Sequence, residues 1–191
     1  MAARTPDRTI GLLLAAGASR RFGAEDKLLA DLGGKPLVLH AADAMRAAAF
    51  DARLAVTSSA EVAVLLPDFE IAPVNPGAPQ SASLRAGIRC AIAMGATRVV
   101  VALGDMPRVP PGLLAEIAHH PGPACAGDGA RRTPPAAFPA ELFESLLAAT
   151  GDRGAGALLA DLPESAVIAT APETLIDIDR PEDLARLQKN A

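Results

Sequence analysis

The stretch LLLAAGASRRFGAEDKLL, residues 12–29, is an apolar run that leads into a basic loop containing two glycines. The leucines end in small residues, and Arg20, Arg21 and Lys27 follow before the next apolar pair. Four interpretations compete for this pattern: a signal peptide, a dinucleotide-binding fingerprint, a P-loop and the phosphate-binding loop of a nucleotidyltransferase. The remainder of the sequence helps to choose among them.

The composition limits the class of protein. The chain has 191 residues, 50% of them hydrophobic, which is typical of a single domain with one sizeable core. Its formal net charge of −4 and pI of about 5.4 provide no general basic surface for nucleic acid or an anionic membrane. Cys90 and Cys125 indicate neither a disulfide framework nor a zinc site, so we expect a reducing, cytoplasmic location.

The N-terminus does not fit a signal peptide well. Its apolar run, Ile10–Ala16, is only seven residues long, and Asp7 lies in the segment that should be basic. No stretch approaches the ~20 apolar residues that are needed to cross a bilayer. We therefore expect residues 1–8 to be a flexible N-terminus and residues 9–188 to form one domain.

Short apolar runs alternate along the chain with longer segments at helical spacing. The runs predict strands at 9–16, 52–58, 69–75, 97–105, 122–127, 166–170 and 174–179. The spacing predicts helices at 36–50, 81–95, 112–120, 140–150, 153–162 and 181–188. This alternation favours an α/β fold with a mostly parallel sheet, whose ligands bind beyond the carboxyl ends of the strands.

The loop after the first strand matches neither of two common nucleotide-binding motifs. From Gly17 it reads GASRRFG, whereas a dinucleotide fingerprint needs G-x-G-x-x-G and a P-loop needs G-x-x-x-x-G-K-[ST]. Its glycine amides can still approach phosphate oxygens, while Arg21 supplies two donors and Lys27 a mobile charge. These groups suit a triphosphate, although an ordinary strand-to-helix turn with solvated cations would fit the same residues.

Carboxylates that could hold a metal ion follow two of the predicted strands. Asp105 comes after an apolar run and a glycine in VVVALGDMP, which predicts its carboxylate at the ligand-binding edge of the sheet. Asp177 and Asp179 lie two residues apart in TLIDID and are expected on one face of a strand end. The alternatives are a turn or cap role for Asp105, and capping of the helix that begins at Pro181 for Asp179.

Several motifs in order resemble a known family. LAAGASRRFGAEDK is similar to the signature L-A-[AG]-G-x-S-x-R-x-G, followed by lysine, of nucleotidyltransferases related to the molybdenum cofactor guanylyl- and cytidylyltransferases. The resemblance continues in KLLADLGGKPLVLHAA, SLRAGI, VALGDMP, PPAAFPAELFESLLAATGDRGAGALL and DIDRPEDL. It implies a three-layer, Rossmann-like fold of the GT-A-like type and nucleotidyl transfer with release of pyrophosphate.

The resemblance also implies roles for individual residues. Arg21, Lys27 and Asp105 would be catalytic, and Asp105 and Asp179 would hold Mg²⁺, with Asp177 as the alternative to Asp179. The nucleotide would be bound by Leu14, Ala15, Ala16, Gly17, Ser19, Gly23, Asn75 and Ser83.

The choice of substrates rests on finer features. FPAELF followed by TGDRGA looks most like the cytidylyltransferase branch, and Ala16 carries a methyl group where guanylyl-transferring relatives tend to have glycine. The resemblance therefore implies CTP as donor and molybdopterin as acceptor, with GTP or another phosphorylated acceptor as the alternative. Arg131, Arg132 and residues 152–154 are candidates for binding the acceptor.

A function of another class is a non-catalytic carrier that delivers the finished cofactor to an apo-molybdenum hydroxylase. Lys27 and Asp105 argue against this, since a carrier does not need groups that bind a metal and pyrophosphate. A carrier role in addition to catalysis, with the hydroxylase as partner, stays open. We expect a monomer that binds small molecules and contacts neither nucleic acid nor a membrane.

Overall fold

The structure is a computed structural model, and it describes residues 7–17, 22, 26–151 and 155–189. Most of the expected flexible N-terminus therefore lies outside the described residues. The described strands are β1 (Thr9–Ala15), β2 (Ala52–Thr57), β3 (Glu70–Pro73), β4 (Arg98–Leu103), β5 (Ala124–Gly127), β6 (Arg132–Pro139) and β7 (Val167–Ala169).

Helices fill most of the connections between these strands. They are α1 (Leu37–Ala47), α2 (Ala60–Val64), α3 (Gln80–Ala93), α4 (Pro111–His119), α5 (Phe143–Leu147), α6 (Gly156–Ala160) and α7 (Pro181–Lys189). Short 3-10 turns lie at Lys27–Leu29, Ala140–Leu142, Glu164–Ala166 and Pro172–Thr174. Among the helices described, none has both the length and the apolar character to cross a membrane.

The strands form one mixed sheet in the order β3-β2-β1-β4-β6-β5-β7. β1 pairs in parallel with β2 on one side and β4 on the other, and β2 pairs in parallel with β3. β6 runs antiparallel to β4 and β5, while β7 is parallel to β5. The predicted α/β fold with a mostly parallel sheet is confirmed, and its parallel half contains the first apolar run of the chain.

Both faces of the sheet are covered, which gives three layers. Leu13 and Val100 pack on one face with side chains of α1 and α4, while Leu12 and Val101 pack on the other with side chains of α3 and α5. The absence of polar alternation in β1 and β4 is explained by this double burial. At Gly87 a Cβ would lie 2.7 Å from the Cδ1 atom of Leu12, so α3 approaches β1 as closely as a glycine permits.

β6 was not among the predicted strands, because a segment reading RTPPAAFP lacks several ladder donors. The structure accommodates two of its prolines in an irregularity of the pairing. Ala136 lies opposite Cys125, but the next residue of β5 pairs with Thr133, so Pro134 and Pro135 fall in the bulge. The prolines thus occupy positions at which the ladder does not need an amide donor.

The strand predicted at 174–179 is wrong. The segment is the turn Pro172–Thr174 followed by irregular backbone, and its Ile178 amide donates to the carbonyl of Asp105, just beyond β4, at 2.9 Å. Apolar side chains, not a ladder, hold this segment in place. Ile178 packs with Leu187 of α7 against Leu32 and Leu37, near the loop after β1.

Candidate active site

A cavity of about 520 Å³ opens beyond the carboxyl ends of β1 and β4. It lies where the sequence predicted ligand binding, because the loops that leave these two neighbouring strands meet at this edge. We call it the donor cavity. Its lining residues are Leu14, Ala16, Gly17, Lys27, Leu28, Gly77, Ala78, Pro79, Gln80, Ser83, Leu103, Asp105 and Asp179.

The buried ammonium of Lys27 lies at the centre of a charge cluster on the wall of this cavity. The Lys27 backbone begins a 3-10 turn that Asp26 caps by accepting a hydrogen bond from the Leu28 amide at 3.0 Å. The Lys27 residue is 6% exposed. Its Nζ atom donates to Asp105 Oδ2 at 2.7 Å, to the Ile178 carbonyl at 2.9 Å and to Asp179 Oδ1 at 3.2 Å.

The two ends of this ion pair affect each other's protonation. Burial alone would lower the pKa of Lys27, but the charges and hydrogen bonds of Asp105 and Asp179 outweigh it and raise that pKa above 10.5. Burial raises the pKa of Asp105, and the Lys27 ammonium offsets part of this effect. Lys27 therefore carries a full positive charge at neutral pH.

The same three oxygens suit a divalent metal ion. Two carboxylate oxygens and one backbone carbonyl oxygen converge on a single point, and hard oxygen ligands are those that Mg²⁺ prefers. Among the residues that the structure describes, no group of three or more His, Cys, Asp or Glu side chains is placed to hold a metal ion. Because Mg²⁺ usually keeps several waters and needs only one or two carboxylates, Asp105 and Asp179 fit such an ion.

The second acidic candidate, Asp177, contacts a different cation. Its Oδ1 atom lies 3.7 Å from Arg131 Nη1, whereas Asp179 pairs with Lys27. The irregular backbone between the two residues allows them to reach different partners. Of the two candidates for completing the metal site, Asp179 is the one that shares a cation with Asp105.

The loop after β1 contributes only part of its predicted residues to the described site. Leu14, Ala16 and Gly17 line the donor cavity, while Ala15 is 3% exposed and is not among the lining residues. The predicted site residues Ser19, Arg21 and Gly23 lie outside the described residues, as do Asp152, Arg153 and Gly154 of the expected acceptor region.

The opposite wall of the donor cavity comes from the start of α3. Ser83, predicted from the sequence to bind the nucleotide, is buried and lines the cavity. Asn75 is exposed and is not among the lining residues, whereas Gly77–Gln80 are. Sequence reasoning missed Gln80, which is the first residue of α3 and follows Pro79 at the N-cap. The signal available was this proline, since proline is common at helix starts.

Two further cavities extend from the donor cavity toward the antiparallel half of the sheet. One of about 220 Å³ shares Leu14, Gln80 and Leu103 with the donor cavity. The other, of about 340 Å³, shares Arg132 and Gly156 with the 220 Å³ cavity. We call these the middle and distal cavities. Because neighbouring cavities share lining residues from both halves of the sheet, we call the three together the tract.

The guanidinium of Arg132 is hydrogen-bonded to other groups of the protein. Its Nη1 atom donates to backbone carbonyls at the end of α6, including that of Ala160 at 2.8 Å, and Nη2 pairs with Glu164. Arg131 is about half exposed and donates to the Leu175 carbonyl at 2.7 Å as well as pairing with Asp128. The two arginines that the sequence offered for the acceptor thus have different surroundings.

Comparison with known proteins identifies the family. Residues 11–167 match the family model described as the MobA-like NTP transferase domain. The chain belongs to this family. Asp179 and α7 lie on the C-terminal side of the matched range, so the segment that completes the Lys27 cluster is outside it. The resemblance seen in the sequence motifs is confirmed.

Relatives of this MobA-like chain support the same assignment. It is 32% identical over 190 residues to a molybdenum cofactor guanylyltransferase of Cereibacter sphaeroides, which covers 95% of this chain and 96% of that protein. It is 33% identical over 113 residues to a Pyrococcus horikoshii protein named "Probable molybdenum cofactor guanylyltransferase", which covers 54% of this chain and about half, 52%, of that relative.

A solved structure agrees with the fold. A nucleotidyl transferase from Methanothermobacter thermautotrophicus superimposes with a TM-score of 0.82 at 27% identity, over 96% of this chain and 97% of that one. The expected enzyme class is confirmed: this MobA-like chain is a nucleotidyltransferase.

Proposed function

We propose that this chain is a Mg²⁺-dependent enzyme that transfers CMP from CTP to the phosphate of molybdopterin and releases pyrophosphate. The observation that carries the proposal is the cluster of Lys27, Asp105 and Asp179 on the wall of the donor cavity. Transfer of a nucleotidyl group mainly requires positioned positive charge and a metal-binding carboxylate, and this cluster contains both.

The reaction needs no covalent enzyme intermediate. An oxygen of the acceptor's phosphate monoester attacks the α-phosphorus, a new P–O bond forms, and the bond to the bridging oxygen breaks as pyrophosphate leaves. Asp105 and Asp179 would hold Mg²⁺, which when bound neutralises charge on the phosphates. Lys27 and Arg21 would stabilise the negative charge on the non-bridging and leaving oxygens, with Gly17 and Gly23 shaping the loop.

The preference for CTP is supported by Ala16. Its methyl group lies on a residue that lines the donor cavity, and it reduces the space available beside a base. A pyrimidine needs less of that space than a purine. GTP is the second candidate, and the names of the curated relatives as guanylyltransferases favour it.

Molybdopterin would occupy the middle and distal cavities. The middle cavity shares Leu14, Gln80 and Leu103 with the donor cavity, so an acceptor lying there would have its phosphate near the α-phosphorus. Of the two arginines, Arg131 is the candidate for binding the acceptor, because it is about half exposed whereas Arg132 is bound to the end of α6. The product would then pass to an apo-molybdenum hydroxylase.

The deciding experiment is pyrophosphate release from CTP, GTP, ATP and UTP with Mg²⁺, with and without molybdenum-loaded molybdopterin. Release that is specific to CTP and requires the pterin is expected. Release with GTP instead would establish the second candidate. If no nucleotide gives pyrophosphate release and the protein still binds the finished cofactor, a carrier function would be favoured.

Ala16→Gly tests the base preference directly. Removal of one methyl from the cavity wall should raise the GTP-to-CTP ratio of kcat/KM about tenfold, the scale of discrimination that one methylene supports. Ala15→Gly is the matched control, because Ala15 is buried next to Ala16 without lining the cavity. An equal change in both variants would contradict the assignment of Ala16.

A further inference from the structure

The Lys27 ammonium lies at the point on which the oxygens of the candidate metal site converge. Asp105 Oδ2, the Ile178 carbonyl and Asp179 Oδ1 lie 2.7, 2.9 and 3.2 Å from Nζ. The Lys27 side chain is only 7% exposed, so water screens the ammonium little, although the side chains of Asp105 and Asp179 are 21% and 45% exposed. An internal cation therefore takes the contacts that a divalent ion would need.

Two cations cannot share these contacts. Like charges a few ångströms apart in a poorly screened site repel strongly, so a metal ion can bind there only if the ammonium moves. Without any cation, the two carboxylates that now contact Nζ would be left as like charges a few ångströms apart. The lysine thus stabilises the assembled site and at the same time opposes metal binding.

The triphosphate provides a reason for the ammonium to move. Lys27 lines the donor cavity, and its flexible four-carbon side chain lets the charge move while the capped turn holds the backbone. Phosphate oxygens entering the cavity offer Nζ new partners and leave the carboxylates to the metal.

We propose that Lys27 is an internal placeholder cation, which occupies the Asp105–Asp179 site until a nucleoside triphosphate draws it away and thereby couples metal binding to nucleotide binding. The proposal rests on the proposed function only in taking Asp105 and Asp179 as metal ligands. By linkage, the same coupling makes the metal favour nucleotide binding.

Titration of the protein with Mn²⁺, followed by the paramagnetic signal of the free ion, tests the placeholder without any acceptor or turnover. Lys27→Gln removes the charge, and its nucleotide-free affinity for Mn²⁺ should rise about tenfold, within the usual range of coupling between sites. Addition of CTP or GTP should raise the affinity of wild type more than that of Lys27→Gln.

Two variants control for charge. Lys35→Gln removes the same charge from a partly exposed residue that pairs with Asp43, and it should leave Mn²⁺ affinity unchanged. Lys27→Arg keeps the positive charge and should bind nucleotide-free Mn²⁺ no better than wild type. Thermal unfolding with and without Mn²⁺ verifies that each variant is folded.

A second measurement uses the wild-type protein, in case Lys27→Gln does not fold. The chain has only three lysines, Lys27, Lys35 and Lys189, so ¹⁵N-lysine labelling yields three Nζ groups. The buried, hydrogen-bonded Nζ of Lys27 should give a slowly exchanging signal. Addition of Mg²⁺ and CTP or GTP should shift or remove that signal, whereas Mg²⁺ alone should have little effect.

The outcomes separate the two proposals. If Lys27→Gln binds nucleotide-free Mn²⁺ no tighter than wild type, or if the Lys27 signal is unchanged by Mg²⁺ with nucleotide, the placeholder is overturned while the enzyme assignment stands. If wild type binds no Mn²⁺ with either nucleotide, the Asp105–Asp179 metal site and the placeholder fall together.

Discussion

Lys27 and Arg132 lie toward opposite ends of the tract of cavities, and each donates to backbone carbonyls. Their other partners differ. Lys27 also pairs with Asp105 and Asp179, whose carboxylates line the donor cavity, whereas Arg132 pairs with the exposed carboxylate of Glu164 and otherwise donates to the carbonyls at the end of α6. Carboxylates on a cavity wall can exchange one cation for another. Carbonyls at a helix end need a permanent donor, so Arg132 stabilises the fold.

The largest expected effect comes from Asp105→Asn. The amide keeps the volume of the side chain but removes the charge that would bind the metal, so kcat should fall by ~10²–10³-fold, as for the loss of one transition-state charge contact. Pyrophosphate release measures the rate, and circular dichroism verifies the fold. A variant with near wild-type activity would place the metal elsewhere and remove the contrast with Arg132.

Arg132→Met tests the other half of the comparison. Loss of the donors to the α6 carbonyls should lower the free energy of unfolding by about 1–2 kcal/mol, since partly buried acceptors lose this donor. The KM for the nucleotide should change little. Urea denaturation measures the stability, and Arg131→Met, at a residue about half exposed, should cost less. Equal losses in both variants would contradict the special role of Arg132.

The smallest expected effect is on stability and concerns a third charged cluster, formed by Arg46 and Asp68, which does not line the donor cavity. Arg46 makes two-pronged hydrogen bonds to Asp68 and lies 5.4 Å from the centre of the Phe69 ring. The hydrogen bond from Arg46 lowers the pKa of Asp68 below its ordinary 3.8, and burial opposes this only partly. The carboxylate is therefore bound more tightly in its charged form when the protein is folded.

The sign of the pH dependence follows from that lowered pKa. Stability from Asp68 is fully present above its unfolded pKa and is lost as the pH falls through the lower, folded value. The free energy of unfolding of wild type should exceed that of Asp68→Asn by a constant margin well above pH 3.8, and this margin should shrink below that pH. Denaturation midpoints from about pH 6 to about pH 3 measure this. A margin that persists in acid would contradict the ion pair.

Sequence patterns were reliable where one local feature decides the structure. The unalternating apolar runs of β1 and β4 predicted buried parallel strands, and their ends placed Lys27 and Asp105 at the edge where the donor cavity lies. β6 was not predicted because its prolines argue against a strand. The bulge opposite β5 that accommodates two of them is visible only in the structure. The strand expected at 174–179 does not form, because the alternating apolar residues there pack in a cluster with Leu187 of α7 instead of in a sheet.

The sequence by itself determined the family, the sheet edge and the types of charged group, since these depend on short-range patterns and on the order of motifs. Only the tertiary structure decided which groups meet. Asp179 reaches Lys27 across 152 positions of the chain, and it does so because the segment before α7 packs on Leu32 and Leu37. No local spacing contains that distance, and the same apolar packing brings the Ile178 carbonyl to Lys27.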